Sequence, residues 1–588
     1  MAAAVASPPP PVHFSFEINR ADGSIYNPWT LADDKVKLRS FIGSGAKPGD
    51  FVAPAIRVAP GQKLTIDLDN RLEACTEKQR KEHACFNDTN LHTHGLWVSP
   101  SGNSDNVLVS VAPGEKFRYE YDIPADHPAG TFWFHPHLHG SGFVQVGSGM
   151  AGMLIVTGNR KPTAAAPGDV DILLKDERGK PFAERHMIFQ QIQYGCLDEK
   201  GAIEGKLEKG DYVRPWTCAP GKVGGIESPD HDWDWINSGR FTGINGKIQP
   251  VQTARTGEFE RWRLVHAGTR ERIRLKIRRL DEGAPDLSTV NGAVQSDWIE
   301  KNCRGPALPM WQIALDGLTR SDAHKVTQAV LFPGERMDLI VRLPEAGRYC
   351  LIHDATPNPA KPLPLRALGV IEAKGRDLRA ADTETLLRDH LVRAAESELR
   401  GAQNALIRAK VVADLRTGMK LSSFAPHKAI AEEEVSGYRE AIVNIVETPK
   451  NALFQINGRP YEMGRIDHVL PLGKAEEWRA VSLLGNHPLH IHVNPFQIVS
   501  IMDSKGNDVM DPASPAFDPD YADLKGEWKD TVMLKQDLRV AFRTRYERFT
   551  GDFVIHCHIM FHGDHGMMQN LRIAAEGEAD RPFGHPVH

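Results

Sequence analysis

One cysteine lies between two histidines near the carboxyl end of the chain, His556-Cys557-His558, followed by His562 and Met567. A thiolate, two imidazoles and a distant thioether are the ligand set of a blue-copper electron-transfer site. Successive side chains of a β-strand point to opposite faces. On a strand, His556 and His558 would therefore face one way and Cys557 the other. The pattern predicts a copper on Cys557 that is joined by covalent bonds to two imidazoles facing a different metal centre.

Three further His-x-His pairs, each predicted to put two imidazoles on one face of a strand, can supply that second centre. With His556 and His558 they give eight imidazoles, enough for three copper ions. The six additional residues are His92, His94, His135, His137, His490 and His492. Because Pro488 separates His487 from His490, His487 is free to turn to the Cys557 side. The predicted ligands of the first copper are then His487, Cys557, His562 and Met567.

The axial ligand has two candidates. Met567 lies ten residues after Cys557, and Met568 follows it directly. Strand alternation sends Met568 to the opposite face, so Met567 is the preferred ligand.

Four ordered segments carry these residues: LHTHG at 91–95, FWFHPHLHG at 132–140, NHPLHIH at 486–492 and HCHIMFHGDHGMM at 556–568. This arrangement resembles the multicopper oxidases, the laccase-like three-domain family. The resemblance implies four coppers: one type 1, one type 2 and two type 3. It implies that His92 and His490 bind the type 2 copper. The implied type 3 ligands are His94, His135, His137, His492, His556 and His558.

The resemblance also implies a reaction between a small reducing molecule and O2. The reductant gives up an electron at the edge of His487 or His562, the electron crosses Cys557, and four such events reduce O2 to two waters. The first hypothesis is oxidation of phenols and aromatic amines. The alternative is a metal oxidase acting on Cu(I), Fe(II) or Mn(II), and the third hypothesis is a non-catalytic relative that kept the fold.

Asp105 is the predicted proton carrier for the cluster, by analogy with an acidic residue of the family. It lies eleven residues after His94 in the loop PSGNSDN. An Asp that only forms the turn is the alternative. Many bacterial relatives have Glu just after the second copper-binding His of the last motif, whereas this chain has Gly563 there, with Asp564 adjacent.

An internal repeat predicts the architecture. Segments 113–137, 333–354 and 539–558 each combine an alternating strand, a turn, a glycine and a second alternating strand, and each is followed by a closing apolar strand. These features are typical of Greek-key β-sandwiches, and the family's unit is the cupredoxin fold. The middle copy has Ile352-His353-Asp354 where the others have His-x-His. It is therefore predicted to bind no copper, to act as a spacer and to line the substrate cleft.

The predicted fold is all-β, with three cupredoxin-like domains at 1–160, 161–375 and 438–588. Residues 376–437 are rich in Ala, Leu, Glu and Arg at helical spacing and predict a helical insertion, with Asp382 and Thr383 as caps. A packing element is the favoured role, and a lid near the substrate copper is the alternative. The insertion contains a single methionine, Met419, and so does not resemble the methionine-rich segment of cuprous oxidases in this family. This difference favours the hypothesis of organic substrates.

Cysteine usage predicts an oxidising compartment. Without Cys557, six cysteines remain in three local couples, Cys75–Cys85, Cys196–Cys218 and Cys303–Cys350. Six cysteines allow fifteen connectivities, and buried free thiols are the alternative. Three disulfides would indicate a periplasmic or secreted protein. The start, MAAAVASPPPP, shows neither the basic region nor the apolar stretch of a signal peptide.

Charge and hydropathy exclude several partners. A net charge of −5 over 588 residues argues against nucleic acid and acidic membranes. The sequence contains no run of about 18 apolar residues, so no transmembrane helix is predicted. The oligomeric state stays open.

Several histidines match no ligand position. His139 and His565 are predicted to lie behind the ligands or at the surface. Solvated loops are predicted for His83, His127, His231 and His427.

Overall fold

The structure is a computed structural model. It describes residues 9–580 and 582–583, except 83–84, 200–202, 205–206, 209–210, 213–217, 220, 228–234, 236–237, 355–363, 377–381 and 449–451. In this part of the chain β-strands dominate and pair into several sheets, and two longer helices lie between the second and third groups of strands. The prediction of an all-β fold with a helical insertion is confirmed.

The first domain has eight strands and two short helices. They are β1 (Val12–Asn27), β2 (Ala32–Ile42), β3 (Ala53–Val58), β4 (Lys63–Asn70), α1 (Glu77–Glu82), β5 (His92–His94), β6 (Lys116–Asp122), β7 (Gly130–His135), α2 (Gly142–Gly147) and β8 (Gly152–Val156). One sheet contains β2-β1-β4-β6, and the other has the order β3-β8-β7-β5. Their facing apolar side chains, among them Phe16, Ile66 and Phe134, form one buried cluster.

The second domain has seventeen strands in the described ranges and one helix. They are β9 (Ala183–Gln190), β10 (Gly195–Leu197), β11 (Ile203–Glu204), β12 (Leu207–Glu208), β13 (Asp211–Tyr212), β14 (Gly224–Gly225), β15 (Gly243–Ile244), β16 (Val251–Arg255), β17 (Phe259–His266), β18 (Ile273–Leu280), α3 (Gln295–Asn302), β19 (Cys303–Arg304), β20 (Met310–Leu315), β21 (Leu318–Val326), β22 (Ala329–Leu331), β23 (Arg336–Arg342), β24 (Gly347–His353) and β25 (Arg366–Lys374). The two main sheets have the orders β15-β9-β17-β23-β20-β21 and β16-β25-β24-β18-β19, with β22 paired to β18.

Three short strands of the second domain, β10, β11 and β14, extend a sheet of the first domain. Strand β14 pairs in parallel with β2, and the sheet order runs β11-β10-β14-β2. The first two predicted domains therefore share a sheet. The predicted domain bounds stay a prediction, because this shared sheet crosses the division at 160.

The third domain has eleven strands and one short helix. They are β26 (Val435–Glu447), β27 (Ala452–Ile456), β28 (Ile466–Pro471), β29 (Ala475–Ser482), β30 (His487–Ile491), β31 (Phe496–Met502), β32 (Trp528–Lys529), β33 (Thr531–Leu534), β34 (Arg539–Arg545), β35 (Gly551–Cys557), α6 (Met560–Asp564) and β36 (Met568–Ala574). The sheets have the orders β27-β26-β29-β34-β31-β32 and β28-β36-β35-β30-β33.

The predicted repeat corresponds to one structural unit in each domain. In every copy the first strand, β6, β23 or β34, lies in one sheet, and the second strand, β7, β24 or β35, lies in the opposite sheet. The second strand begins at the aligned glycine, which is Gly130, Gly347 or Gly551. A Cβ on Gly130 would lie 1.8 Å from the backbone oxygen of Gly317, so this glycine lets the first and second domains approach closely.

The insertion forms α4 (Thr383–Glu398) and α5 (Ala405–Arg416). The Asp382 carboxylate caps α4 by accepting a hydrogen bond from the backbone N–H of Thr385 at 3.0 Å. Leu387, Leu391 and Leu415 share a buried cluster with apolar side chains of the second domain, including Trp311 of β20. The insertion is therefore a packing element on the second domain, as favoured from the sequence. Further 3-10 helices lie at Val170–Leu173, Leu287–Thr289, Gly292–Val294, Ala402–Asn404, Glu432–Glu434 and Pro519–Tyr521.

The three predicted disulfides are confirmed. Cys75–Cys85, Cys196–Cys218 and Cys303–Cys350 are bonded, and Cys557 is a buried free thiol. Among the described residues, no helix is long and apolar enough to cross a membrane.

Strand β35 places its side chains on two different sides. Phe553, Ile555 and Cys557 belong to the main core cluster of the third domain. Val554 instead packs with Val107 of the first domain. The strand is buried on both faces because the third domain covers one face and the first domain covers the other. This alternation directs His556, two residues after Val554, towards the first domain.

Candidate metal centre

Eight imidazoles meet between the first and third domains. Strand β5 pairs with β7 so that His92 is opposite His135, and β30 pairs with β35 so that His490 is opposite His556. All eight are buried: His92, His94, His135, His137, His490, His492, His556 and His558. The structure thus brings together the four predicted His-x-His pairs, two from each domain.

Three of the four pairs continue past the end of their strand. Strand β7 ends at His135, β30 at Ile491 and β35 at Cys557, and only the pair in β5 lies wholly within a strand. The expectation that each pair lies on one strand was wrong in this detail. Pro136 has no N–H to continue the pairing of β7, so His137 lies beyond the end of the strand.

The imidazoles are close enough to share metal ions. The ring of His92 stacks on His492 with centroids 3.9 Å apart, and His94 stacks on His490 at 3.8 Å. The Nε2 atom of His556 lies 3.0 Å from Nε2 of His137. Ligand atoms within 4.8 Å of one another form the triads His92/His94/His135, His92/His490/His492 and His137/His492/His556. His558 adjoins them, with its ring 5.0 Å from that of His94.

Ring nitrogens without partners point to a metal. Buried polar atoms in proteins almost always have a hydrogen-bond partner. Seven ring nitrogens of this cluster have none: Nε2 of His92, His135 and His490, Nδ1 of His94 and His492, and both nitrogens of His558. Burial lowers the pKa of His135 and of His556 to about 3, so both rings are neutral and carry a free lone pair. Neutral imidazole is the form that binds copper, and the residues present fit such a group.

The opposite ring nitrogens are held by the protein. Nδ1 of His135 donates to the carbonyl of Pro136 at 2.8 Å, and Nδ1 of His556 donates to the carbonyl of Cys557 at 2.9 Å. Such partners on the far side of a ring fix its tautomer and orientation. The far-side hydrogen bonds therefore leave the Nε2 atoms of His135 and His556 free to face the cluster.

Asp105 lies directly behind His92. Its carboxylate accepts from Nδ1 of His92 at 3.0 Å and from the backbone N–H of Thr93 at 2.7 Å. Burial raises the pKa of Asp105 to about 7. A bound cation would lower this pKa again. Asp105 therefore orients His92, and it is in contact with the cluster.

Sequence reasoning missed Asp530. Its backbone oxygen accepts from Nδ1 of His490 at 2.8 Å, and its carboxylate Oδ1 lies 3.3 Å from Nε2 of His94. These contacts leave Nε2 of His490 and Nδ1 of His94 free, and both are among the unpartnered atoms. Asp530 thus determines which nitrogen His94 presents. The sequence signal was weak, because Asp530 lies 38 residues after His492 in no recognised motif.

Arg336 of the second domain clamps Asp530. Its two terminal nitrogens lie 2.7 and 2.5 Å from the two carboxylate oxygens, and the guanidinium is completely buried. Burial by itself raises the pKa of Asp530, but the guanidinium outweighs it and lowers the pKa below the usual value. A Cβ on Gly95, in the first motif, would lie 2.1 Å from Arg336, so a glycine is required there. The second domain therefore contributes to the cluster.

Cys557 and two imidazoles form a second group on the other side of β35. Nδ1 of His487 lies 3.5 Å and Nδ1 of His562 lies 3.7 Å from Sγ of Cys557. Nε2 of His487 donates to the carbonyl of Leu484 at 2.8 Å, which directs Nδ1 towards the thiol. Burial raises the pKa of the Cys557 thiol. A metal would have to displace that proton, as copper does when it binds thiolates.

The two methionines lie on different sides of the sheet. Met567 is completely buried in the cluster that contains Cys557, and its backbone oxygen accepts from the N–H of Cys557 at 3.0 Å. Met568 packs with Val107 and Val554 on the opposite face. This is the arrangement that strand alternation predicts.

Asp564 links the two groups of ligands. It follows His562 by two residues, and its carboxylate accepts from the backbone N–H groups of Gly140 and Phe143. Gly140 comes three residues after His137. Asp564 therefore fixes the loop of the cysteine group to the loop of the histidine cluster.

The remaining histidines lie in varied surroundings. His139 is half-buried against Tyr461, and His565 is exposed. The prediction of a solvated His127 was wrong: it is buried, and its Nε2 accepts from the backbone N–H of Trp97 at 2.9 Å. His427 is half-buried against Trp528. His83 and His231 lie outside the described residues.

Comparison with known proteins identifies the family. Two models described as multicopper oxidase match residues 44–161 and 435–577, which contain all twelve predicted ligands. The chain belongs to the multicopper oxidase family. A multicopper oxidase of Staphylococcus haemolyticus is 21% identical over 568 residues, which cover 94% of this chain and 90% of that relative.

Solved structures show the same fold. A multicopper oxidase from Campylobacter jejuni, described as a metallo-oxidase, has a TM-score of 0.59 at 18% identity. The match covers 96% of this chain and 92% of the Campylobacter chain. A laccase-like oxidase from Ochrobactrum has a TM-score of 0.58 at 18% identity, with 97% and 100% covered. These structures show that the chain has the three-domain fold, and the family implies copper binding.

We expect Arg336→Lys to lower the copper content of the histidine cluster. Lysine keeps the charge but cannot form the two parallel hydrogen bonds that hold Asp530, so His94 and His490 lose their fixed orientation. Losing a second-sphere partner costs about 10- to 100-fold in metal affinity. Copper per chain, measured by atomic absorption after dialysis, should fall below the wild-type value.

Arg263→Lys is the matched control. Arg263 is also buried in the second domain and ion-paired with Asp338, but it contacts none of the eight imidazoles. Wild-type copper content in Arg336→Lys, or equal losses in both variants, would contradict the role of the clamp.

The copper-free protein should lose stability as the pH falls from 7 to 5. The folded-state pKa of His135 and of His556 is about 3, below the value of about 6.5 in an unfolded chain. As the pH falls, the unfolded state therefore takes up protons first. Each such residue lowers the free energy of unfolding by about 1.4 kcal/mol per pH unit below 6.5. Thermal unfolding of the apoprotein measures the slope. His135→Asn should flatten it, and a melting temperature that does not change with pH would refute the argument.

Proposed function

We propose that this protein takes single electrons from phenols and aromatic amines at a type 1 copper and reduces O2 to water at three further coppers. The proposed type 1 ligands are His487, Cys557, His562 and Met567. The type 2 ligands are His92 and His490, and the type 3 ligands are His94, His135, His137, His492, His556 and His558. Asp105 is proposed to relay protons to the cluster.

The position of Cys557 between the two ligand groups carries this proposal. Its thiol faces His487 and His562, while His556 and His558, its neighbours in the chain, reach the eight-histidine cluster. A covalent path of one residue therefore joins the groups. A non-catalytic relative would have no use for such a path, and it would still bear the cost of burying seven ring nitrogens that have no hydrogen-bond partner.

When bound, copper would supply a reversible one-electron couple at Cys557 and the four-electron reduction of O2 at the cluster. The protein holds the imidazoles in fixed tautomers, with Asp105 behind His92 and the carbonyl of Leu484 behind His487. It also excludes water, because all eight cluster histidines are buried. Fixed ligands reduce the reorganisation that accompanies electron transfer, and a closed pocket retains partly reduced oxygen.

The surface near His487 favours organic reductants. Leu484, whose carbonyl holds His487, is 42% exposed, and the preceding Leu483 is 53% exposed. Apolar side chains at this position would contact an aromatic ring and offer no ligand to a metal ion. Oxidation of Cu(I), Fe(II) or Mn(II) remains the second candidate, because the Campylobacter relative is described as a metallo-oxidase.

Three disulfides support a periplasmic or secreted location. Such bonds persist in oxidising compartments and are rare in the cytosol.

Replacing Cys557 by Ser tests the function. We expect the wild-type protein to bind four coppers, to be blue and to consume O2 with phenols. Cys557→Ser should lose the blue absorption and the O2 uptake but keep about three coppers, because the eight histidines are unchanged. Electronic absorption, copper analysis and an oxygen electrode provide the readouts.

Two outcomes would decide against the proposal. A Cys557→Ser protein that stays blue would refute the type 1 assignment. Wild-type O2 uptake with Cu(I), Fe(II) or Mn(II) but with no phenol or aromatic amine would favour the metal oxidase.

Met567→Leu should raise the reduction potential of the type 1 copper. The thioether donates electron density and favours Cu(II), and axial ligands tune such potentials. The two side chains have similar volume, so the exchange should cost less than about 1.5 kcal/mol of stability. Redox titration measures the shift, with Met568→Leu as the matched control. A shift in the control alone would assign the axial position to Met568.

A further inference from the structure

A cavity in the second domain is lined by none of the proposed copper ligands. It encloses about 530 Å³ of empty space, including the part open to solvent, and its walls include Arg240, Phe241, Glu271, His353 and Arg366. Its walls combine apolar side chains with a few polar groups, as the walls of small-molecule sites do. We refer to it as the arginine cavity.

Arg366 brings a positive charge to the cavity without a carboxylate partner among the described residues. Its guanidinium carbon lies 4.4 Å from the ring centre of Phe241 and 5.5 Å from that of Trp29. Its hydrogen bond is a long one, 3.4 Å, to the carbonyl of Gly292. Burial lowers the pKa of Arg366 to about 10, with no neighbouring acid to oppose it. An uncompensated charge in such a place is unfavourable, and an anion in the cavity would relieve it.

The other charged groups of the wall do not neutralise Arg366. Arg240 lies 3.4 Å from Asp34 and donates to the carbonyl of Tyr194. The carboxylate of Glu271 lies 3.9 Å from the guanidinium of Arg270. Burial lowers the pKa of His353 to about 4, so this imidazole is neutral. Among the described residues of the wall, the unneutralised charge is therefore the positive charge of Arg366.

The cavity wall is connected to the loop of the cysteine group. Glu271 comes two residues after Thr269, whose carbonyl accepts from the backbone N–H of Met560 at 3.2 Å. Met560 lies between Cys557 and His562 in the chain. Two residues and one hydrogen bond thus connect the cavity wall with Met560, which lies two residues before the proposed type 1 ligand His562.

We propose that the arginine cavity binds aromatic carboxylates and makes carboxylated phenols the preferred substrates of this oxidase, an inference that rests on the proposed function. The carboxylate forms a bidentate pair with the guanidinium of Arg366, and the ring packs against Phe241. Each bound phenol loses one electron to the type 1 site and one proton to solvent, leaving a phenoxyl radical. Four such events supply the electrons that reduce one O2, with four protons, to two waters.

The experiment compares 4-hydroxy-3,5-dimethoxybenzoate with its methyl ester, which has the same phenol but no charge. Arg366→Gln should raise KM for the acid about ten-fold, as expected for one lost charge-assisted pair, and leave KM for the ester and both kcat values unchanged. Arg366→Lys should restore part of the loss. Arg479→Gln is the matched control, because Arg479 also stacks on an aromatic ring, that of the exposed Tyr438, but lies outside the cavity. Equal effects on acid and ester, or none on either, would overturn the proposal.

Binding can also be measured without turnover. Titration calorimetry of the Cys557→Ser protein should show that benzoate binds. The uncharged analogue benzamide should not compete with benzoate, and the additional exchange Arg366→Gln should abolish binding. Failure of benzoate to bind to the Cys557→Ser protein would overturn the cavity proposal, whether or not the Arg366→Gln variant folds. Binding of benzoate to a protein that oxidises neither phenol would instead refute the proposed function and leave the cavity intact.

Discussion

The contact between β5 and β7 of the first domain and β30 and β35 of the third is the interaction on which the candidate site depends. Each side contributes four imidazoles, and neither side alone contains the complete cluster. Burial lowers the pKa of His135 and of His556 and keeps both rings neutral, and several nitrogens of the cluster have no partner in the protein. The interface therefore carries unsatisfied polar atoms, which metal binding would satisfy. Copper binding and domain docking are expected to stabilise each other for this reason.

The second domain supports that interface from outside. Arg336 crosses into it and clamps Asp530, which in turn fixes His94 and His490. Close backbone approach at Gly130 brings the first and second domains together near β7. A domain predicted to be a spacer thus contributes to the orientation of the ligands. The second domain also carries the arginine cavity, which we propose to bind substrates, so one domain would connect substrate binding with the geometry of the cluster.

Much of the site could be predicted from the sequence because its ligands lie in short local patterns. A His-x-His pair or a His-Cys-His triplet limits where each side chain can point, since alternation along an extended chain is a local property. The separation of Cys557 from His556 and His558, and of Met567 from Met568, follows from this rule. The repeat, the helical insertion with its Asp382 cap and the disulfide pairs were likewise visible as local patterns in the sequence.

The sequence by itself determined that the fold is β-sandwich-like and that residues near 383–416 are helical, and it pointed to the residues that we propose to bind copper. The tertiary structure decided the rest. Asp530 and Arg336 are 194 residues apart and meet only because two domains dock. His127 is buried, although its local sequence is polar, because Trp97 and Pro128 supply its partners. The sheet shared by β2 and β14 and the surroundings of the Arg366 guanidinium also depend on long-range packing. Side-chain direction is set by neighbouring residues in the chain, whereas burial and ion pairing are set by residues that are distant in it.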